Sequence, residues 1–234
     1  QRKVGKNGAE LHSAADKDKD QSYFLFSTTP EQLEYLRFPL GHLKSKKETR
    51  ELAHKFGLSV AKKADSQDIC FVPNGNYASV IERLRPGAAE PGQVVTESGQ
   101  VLGKHSGIIH YTIGQRKGIR IGGNKNYSEK PWFVINKDIG QNKLIISQDE
   151  DRLIALGKVE LKNMSWVRSQ PSENLKCKAR FRHGGKLIPV NITKTNNKYY
   201  LDMLDGERAI TPGQSAVLYN GDECIGGGII SSLC

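Results

Sequence analysis

The alternation of apolar and polar positions divides the chain into a helical first third and a strand-rich remainder. Thr29 offers a hydroxyl cap, Pro30 sits in the first turn and Gln32 stands three residues after the cap, which predicts a short helix through Leu36. Ser45-Lys46-Lys47-Glu48 repeats that capping pattern, Leu52, Ala53 and Phe56 form an apolar stripe at helical spacing, and Gly57 supplies the stop. Asn76 is the expected cap of a third helix, with Val80, Ile81 and Leu84 facing inward and Pro86-Gly87 ending it. From there the period changes to two. Residues 93–97 and 100–104 read as a hairpin with a two-residue turn at Ser98-Gly99, and 132–136 with 143–147 as another pair. The acidic stretch Gln148-Asp149-Glu150-Asp151 marks a boundary. Beyond it, short β runs at 176–183, 188–193, 199–204 and 215–219, separated by Gly, Pro and Asn, predict a small barrel or sandwich.

Composition changes this picture in two ways. A chain of 234 residues forms one large or two to three small domains, and the pattern shift favours several small ones. The net charge of +10 points to a polyanionic partner, nucleic acid first, because Lys and Arg gain affinity by releasing counterions condensed on a phosphate backbone. Residues 1–63 carry 13 Lys and Arg against 8 Asp and Glu, residues 64–150 carry 10 against 9, and residues 151–234 carry 12 against 8. The excess therefore sits at both ends, as two lobes gripping one extended ligand would need. Cys70, Cys177, Cys224 and Cys234 are widely spaced, with no Cys-x-x-Cys pair, which argues against a disulfide scaffold or a zinc site and for a reducing compartment. The start, Gln1-Arg2-Lys3-Val4-Gly5-Lys6, has no apolar segment behind its positive charge, and no run approaches the ~20 apolar residues of a membrane helix. A cytoplasmic protein without membrane contact is expected, and the initial Gln suggests that a segment upstream is missing.

The candidate for chemistry is Cys70, in the polar turn Asp65-Ser66-Gln67-Asp68-Ile69-Cys70-Phe71. A sulfur nucleophile acts as the thiolate; Lys62 and Lys63 favour that anion and Asp65 and Asp68 oppose it, so local sequence leaves both a nucleophile and a buried structural thiol open. In Lys176-Cys177-Lys178-Ala179-Arg180-Phe181-Arg182-His183, strand alternation would put Lys176, Lys178, Arg180 and Arg182 on one face. That is either a track for phosphates or an edge strand protected by cations. Gly114-Gln115-Arg116-Lys117-Gly118, followed by Arg120, is either a close approach to a phosphate backbone or a set of tight turns. Lys19-Asp20-Gln21-Ser22 reads as a helix start, with Asp20 as a possible cap and Tyr23, Phe24 and Leu25 behind it as core. Gly103-Lys104-His105-Ser106 fails as a phosphate loop, because Ser does not follow Lys directly and Ser98 occupies the place of the first Gly. No His-x-x-x-His pair suggests a metal, and no Gly-x-Ser-x-Gly supports serine hydrolysis.

Four motifs taken in order, Lys19 to Leu25, Asp65 to Phe71, His110 to Gly118 and Thr211-Pro212-Gly213-Gln214-Ser215-Ala216-Val217, resemble the tRNA-specific 2-thiouridylase (MnmA) family over nearly the whole chain. Gly226-Gly227-Gly228-Ile229-Ile230 is similar to the family's terminus. The resemblance implies the α/β remainder of a PP-loop ATP pyrophosphatase domain (1–75), a small mixed, mainly β central domain (76–150) and a C-terminal β-barrel (151–234). It implies an enzyme that adenylates C2 of the wobble uridine of tRNA with ATP and replaces the oxygen with sulfur from a cysteine persulfide, which Cys70 matches as carrier. A protein that donates the persulfide sulfur is the implied partner, and the enzyme is expected to act as a monomer without a metal. The family's second cysteine, which can form a disulfide with the carrier, and its Ser-Gly-Gly-x-Asp-Ser loop for ATP phosphates are absent here and expected upstream, so this chain should not activate uridine alone. Lys19, Asp20 and Gln21 match a tRNA-contacting triplet, Arg180 and Phe181 an Arg-aromatic contact pair, and Gln214 a further tRNA contact. Phe181 stands where Tyr is common, which keeps a stacking face and removes a hydroxyl. Alternation sets Arg180 and Phe181 on opposite faces, so either the strand bulges there or only one of them makes its contact.

Overall fold

The computed structural model describes residues 1–6, 8–64, 72, 77–87, 89–121, 127–168, 170–171 and 174–233. They form two compact units, one of residues 1–63 with 156–234 and one of residues 64–155. In the first unit the chain opens with a hairpin of β1 (Arg2–Gly5) and β2 (Gly8–His12), followed by two 3-10 turns, Lys17–Lys19 and Ser22–Leu25. Helix α1 (Pro30–Tyr35) has the full expected capping box: Thr29 Oγ1 accepts from the Gln32 amide and Gln32 Oε1 from the Thr29 amide. Helix α2 (Lys46–Lys55) is capped by the Ser45 hydroxyl, while Glu48 reaches back to the Lys44 amide. Its apolar stripe is not core: Leu52 and Ala53 are half-buried and Phe56 is 71% exposed.

In the second unit, α3 spans Tyr77–Leu84, and the expectation that its apolar residues face inward fails at Leu84, which is 77% exposed; the expected cap Asn76 lies outside the described residues. The strands follow as β3 (Gly92–Thr96), β4 (Val101–His105), β5 (Phe133–Asp138) and β6 (Lys143–Ser147), in the order β4-β3-β6-β5. Both predicted hairpins form, but the sheet is completed by a parallel β3–β6 pairing that no local pattern announced. The β3–β4 loop is longer than expected by one residue. The Thr96 amide bonds the Gln100 carbonyl and the Gly99 amide the Thr96 carbonyl, with Gly99 at φ 84°, a three-residue loop that places glycine in the left-handed position. Val94, Ile108, Tyr111, Ile119, Val134, Leu144 and Ile146 make the core of this unit.

The remaining strands are β7 (Ile154–Trp166), β8 (Leu175–Arg180), β9 (Ile188–Thr195), β10 (Lys198–Arg208), β11 (Ser215–Asn220) and β12 (Glu223–Leu233). They run β12-β11-β8-β9-β10-β7, and β7 pairs again with β12, closing a six-stranded barrel. The expected C-terminal barrel is therefore present, although its two closing strands, β7 and β12, were not predicted. Period-two burial sends Ile188, Val190 and Ile192 inward from β9. Asn196 and Asn197, both left-handed at φ 51° and 62°, make the tight β9–β10 turn.

β12 also carries the amino-terminal hairpin. Glu223 and Cys224 pair with β2, and from Gly226 onward the same edge pairs with β7. Gly226, at φ 152°, sits at this switch, and a Cβ there would run into the Ser165 carbonyl; one on Gly227 would lie 2.7 Å from both the Ala216 carbonyl oxygen and the Phe26 ring. The glycines thus let backbone meet backbone where three strands converge. We predict that Gly226→Ala lowers unfolding free energy by about 2 kcal/mol or more in urea titration, through strain and overpacking, with Gly140→Ala, at an exposed turn where a Cβ would meet nothing closer than 3.5 Å, as a mild control.

Candidate functional site on the outer face of the barrel

The outer face of β11 is not solvent-exposed. Ala216, Val217, Leu218 and Tyr219 are all buried, because Val217 and Tyr219 pack against Leu11, Tyr23 and Leu33 from the first forty residues. At the seam lies Asp20, only 4% exposed. Its Oδ1 accepts from the amides of Ala14 (3.0 Å) and Ser22 (3.1 Å), and its Oδ2 accepts from the Ser22 hydroxyl (2.8 Å). Arg180 Nη1 stands 3.6 Å from Oδ2, and its guanidinium lies 5.2 Å from the centre of the Tyr219 ring. The Tyr219 hydroxyl and the Ser22 hydroxyl are 3.1 Å apart, and burial pushes the Tyr219 phenol strongly upward, so it remains a neutral hydrogen-bonding group. Beside them, the Tyr23 hydroxyl donates to the Ser215 carbonyl at 3.0 Å; burial also raises this phenol.

This arrangement decides how the sequence motifs are displayed. Lys19 and Gln21, on either side of buried Asp20, are exposed. β8 lies between β11 and β9, not at an edge, and of the expected cationic face Lys176, Lys178 and Arg182 are open while Arg180 is half-buried. The strand ends at Arg180, and Arg182 sits in the following turn, 3.5 Å from Glu207. Phe181 follows the end of the strand and is 4% exposed, so its ring is not offered at the surface. Gln214 is half-buried at the start of β11, its carbonyl accepting from the Ile230 amide at 2.8 Å. Phe24, read as core, is exposed. The structure thus gathers Lys19, Asp20, Gln21 and Arg180 in one place, and adds Ser22, Tyr219 and His183. Ser22 already stood in the motif read from the sequence, but Tyr219 and His183 were missed as partners because their contacts join segments far apart in the chain; the one local signal was the apolar run ending at Tyr219, too uniformly apolar for a strand open on one side.

Cys70 lies outside the described residues, as does Cys234. Cys177 is half-buried and Cys224 buried, both free thiols, and burial pushes each up to about 12. Neither is an activated nucleophile. In the second unit, the 112–118 loop is a set of hydrogen-bonded turns: Gln115 Oε1 accepts from the Thr112 amide, and Gln115 Nε2 donates to the Lys117 carbonyl. These turns leave Arg116, Lys117 and Arg120 exposed. Nearby His105 is packed, not ligating: its Nδ1 accepts from the Gly107 amide and its Nε2 faces the Asn142 carbonyl, and burial lowers its pKa. Among the described residues no cluster of three or more His, Cys, Asp or Glu has the geometry for a metal ion, and no helix is long and apolar enough to cross a membrane.

Comparison with known proteins bears on this geometry. Residues 1–74 match the family model described as a tRNA methyl transferase HUP domain, residues 80–148 a tRNA methyl transferase PRC-barrel domain, and residues 157–230 an aminomethyltransferase β-barrel domain. Proteins named tRNA-specific 2-thiouridylase MnmA from Ruegeria sp. (strain TM1040), Ruegeria pomeroyi and Paracoccus denitrificans are 49%, 50% and 48% identical to the chain, each over 98% of it. The chain belongs to the tRNA-specific 2-thiouridylase family. It spans 60%, 61% and 59% of the length of those three relatives. In this chain of the family, the surroundings split the Lys-Asp-Gln triplet: the middle residue is an internal anchor and the outer two are presented at the surface.

Two predictions follow from this geometry. Asp20→Ala and Arg180→Ala should each lower stability by on the order of 3 kcal/mol in chemical denaturation, since each strands the other's buried charge, and the double variant should be less damaged than the sum. The thiols give a pH dependence. Cys177 and Cys224 keep their protons in the folded state above the ordinary thiol value of 9.0, whereas the unfolded chain releases them. Their contribution is therefore complete below pH 9 and is lost as pH rises toward about 12. Denaturation at pH 8 and pH 10 should show that loss, reduced in a Cys177→Ala/Cys224→Ala variant.

Proposed function

We propose that this chain is the sulfur-transferring and tRNA-holding part of a tRNA 2-thiouridylase. The observation that carries this reading is the near-50% identity to proteins of that name along 98% of the chain, with the Lys19-Asp20-Gln21, Cys70 and Gln214 motifs all in place. The exposed cations support it: Lys19, Lys176, Lys178 and Arg182 in one unit, Arg116, Lys117 and Arg120 in the other, on a chain of net charge +10. Lys19, Gln21, Arg180 and Gln214 are assigned to tRNA, with Asp20 holding the triplet in place. Phe181 is assigned to the same contact region by its place next to Arg180, although its own ring is buried.

Cys70 accepts the outer sulfur of a donor protein's persulfide. With the uridine C2 oxygen carried as an adenylate, the terminal sulfur attacks C2, the C2–S bond forms, and AMP leaves with the C2–O bond. A second cysteine thiolate then cleaves the S–S bond, giving 2-thiouridine and a disulfide between the two cysteines. A persulfide suits this step because it ionises more readily than a thiol and its outer sulfur is strongly nucleophilic. No Ser-Gly-Gly-x-Asp-Ser loop occurs in this chain, so adenylation with ATP is assigned to the part of the relatives that the chain does not span. The descriptions of the matching domains speak of methyl transfer instead; a persulfide-carrying cysteine has use only for sulfur.

The test supplies the remaining portion from one of these relatives, with a persulfide donor, ATP and tRNA. Mass analysis of the product nucleoside should show sulfur in place of oxygen and no added methyl, and Cys70→Ser should abolish thiolation while leaving tRNA affinity intact. Thiolation retained in that variant overturns the catalytic assignment and leaves a tRNA-binding module. Filter binding should lose about 100-fold in affinity between roughly 50 and 200 mM salt, as for about four neutralised phosphates; a flat response removes the electrostatic grip.

A further inference from the structure

Directly beside the Asp20 anchor, two rings stand at the surface with nothing in the described residues covering their outer side. Phe24 is 57% exposed, yet it is not a loose side chain. Its amide bonds the Gln21 carbonyl at 3.0 Å, and Tyr23 meets its ring edge-on at 5.3 Å and 89°. Its second neighbour is His183, with centroids 4.7 Å apart and planes inclined at only 31°, close to an offset stack. His183 is itself pinned: its Nε2 lies 3.1 Å from the Asp20 carbonyl, and since a carbonyl can only accept, Nε2 carries the proton. Both rings are therefore tied to one residue, through Gln21 and Ser22 on one side and the Asp20 carbonyl on the other. The Gly184 turn that presents His183 is open, with φ 71° and free space around it.

A phenylalanine held rigid, half open to water and stacked on an imidazole buries little apolar area for its size. It has, however, the properties of a stacking surface: a flat π-face and little rotamer freedom left to lose on binding. The charges around it select the partner. Lys19 ends the turn before it, Gln21 stands at the start of its own turn, Arg182 adjoins His183, and the chain is basic overall. A flat aromatic face framed by cations and an amide fits a nucleobase that is unpaired, because only a base outside a duplex offers its face to a side chain.

We propose that Phe24, backed by His183, is a stacking platform for one unpaired base of the bound tRNA. This rests on the tRNA reading above and extends it: phosphates are held by the surrounding cations, and this pair of rings distinguishes a looped single strand from a duplex. Stacking adds affinity without neutralising charge, so its loss leaves the salt dependence unaltered.

The experiment uses the whole chain with three probes: tRNA, a duplex RNA of similar length, and tRNA across a salt series. Phe24→Ala should weaken tRNA binding by roughly 5- to 100-fold, as loss of one base stack predicts, while duplex affinity and the slope of affinity against salt stay at wild-type values. Phe24→Trp should retain tRNA binding, and His183→Ala should show a smaller loss of the same kind. Unchanged tRNA affinity in Phe24→Ala overturns the proposal. So does a loss shared equally by tRNA and duplex and accompanied by a lower melting temperature, since the ring would then be packing. If the wild-type chain fails to bind tRNA at all, the functional reading itself falls, a result distinct from either of those.

Discussion

A single buried carboxylate joins the amino-terminal segment to the barrel. Asp20 has its oxygens filled by the amides of Ala14 and Ser22 and the Ser22 hydroxyl, all within six residues, while the opposing charge comes from Arg180 at the end of β8. The Arg–Asp contact at 3.6 Å is long, and Arg180 Nε has no hydrogen-bond partner among the described residues. Its value therefore lies less in net attraction than in the cost of separating two charges already removed from water. Ser22 bonds this carboxylate and meets Tyr219, His183 bonds the backbone carbonyl of the same residue, and exposed Lys19 and Gln21 flank it, so the geometry of the surface is organised around one interior residue.

The barrel supplies the rigid half of that arrangement. Closure through β7 and β12 leaves no free edge between them, and the glycines of β12 allow β2, β7 and β11 to approach one backbone. Once the β1–β2 hairpin is hydrogen-bonded to the start of β12, the segment after it is laid across β11, which becomes buried on both faces. A strand that looks outward in an isolated barrel is here an internal layer. Burial also keeps the thiols of Cys177 and Cys224 unreactive, so neither serves the sulfur chemistry proposed for Cys70.

Local signals were read well where the stabilising group lies within a few residues. The Thr29 and Ser45 caps, the β3–β4 and β5–β6 hairpins and the period-two burial of β9 are of this kind, because cap hydroxyl, turn glycine and alternating side chain all act on neighbours. The failures are equally specific. Phe56 and Leu84 have helical spacing but no surface to meet among the described residues; Phe24 follows a polar start in a pattern that predicts core; β12 gives no local signal because glycine runs carry no strand preference. Arg180 alternates with Lys176 and Lys178, yet is withdrawn from solvent by residues some 160 positions earlier.

By itself the sequence determined the family, the basic character, the candidate cysteine and the positions of most helices and hairpins, since each rests on residue identity or on contacts within one turn of chain. Tertiary structure alone decided that Asp20 and Arg180 face each other, that Phe181 turns inward while Phe24 turns outward, and that β3 runs parallel to β6. Those outcomes depend on which distant segment covers a given face, and no periodicity of a strand or turn encodes what will be laid across it.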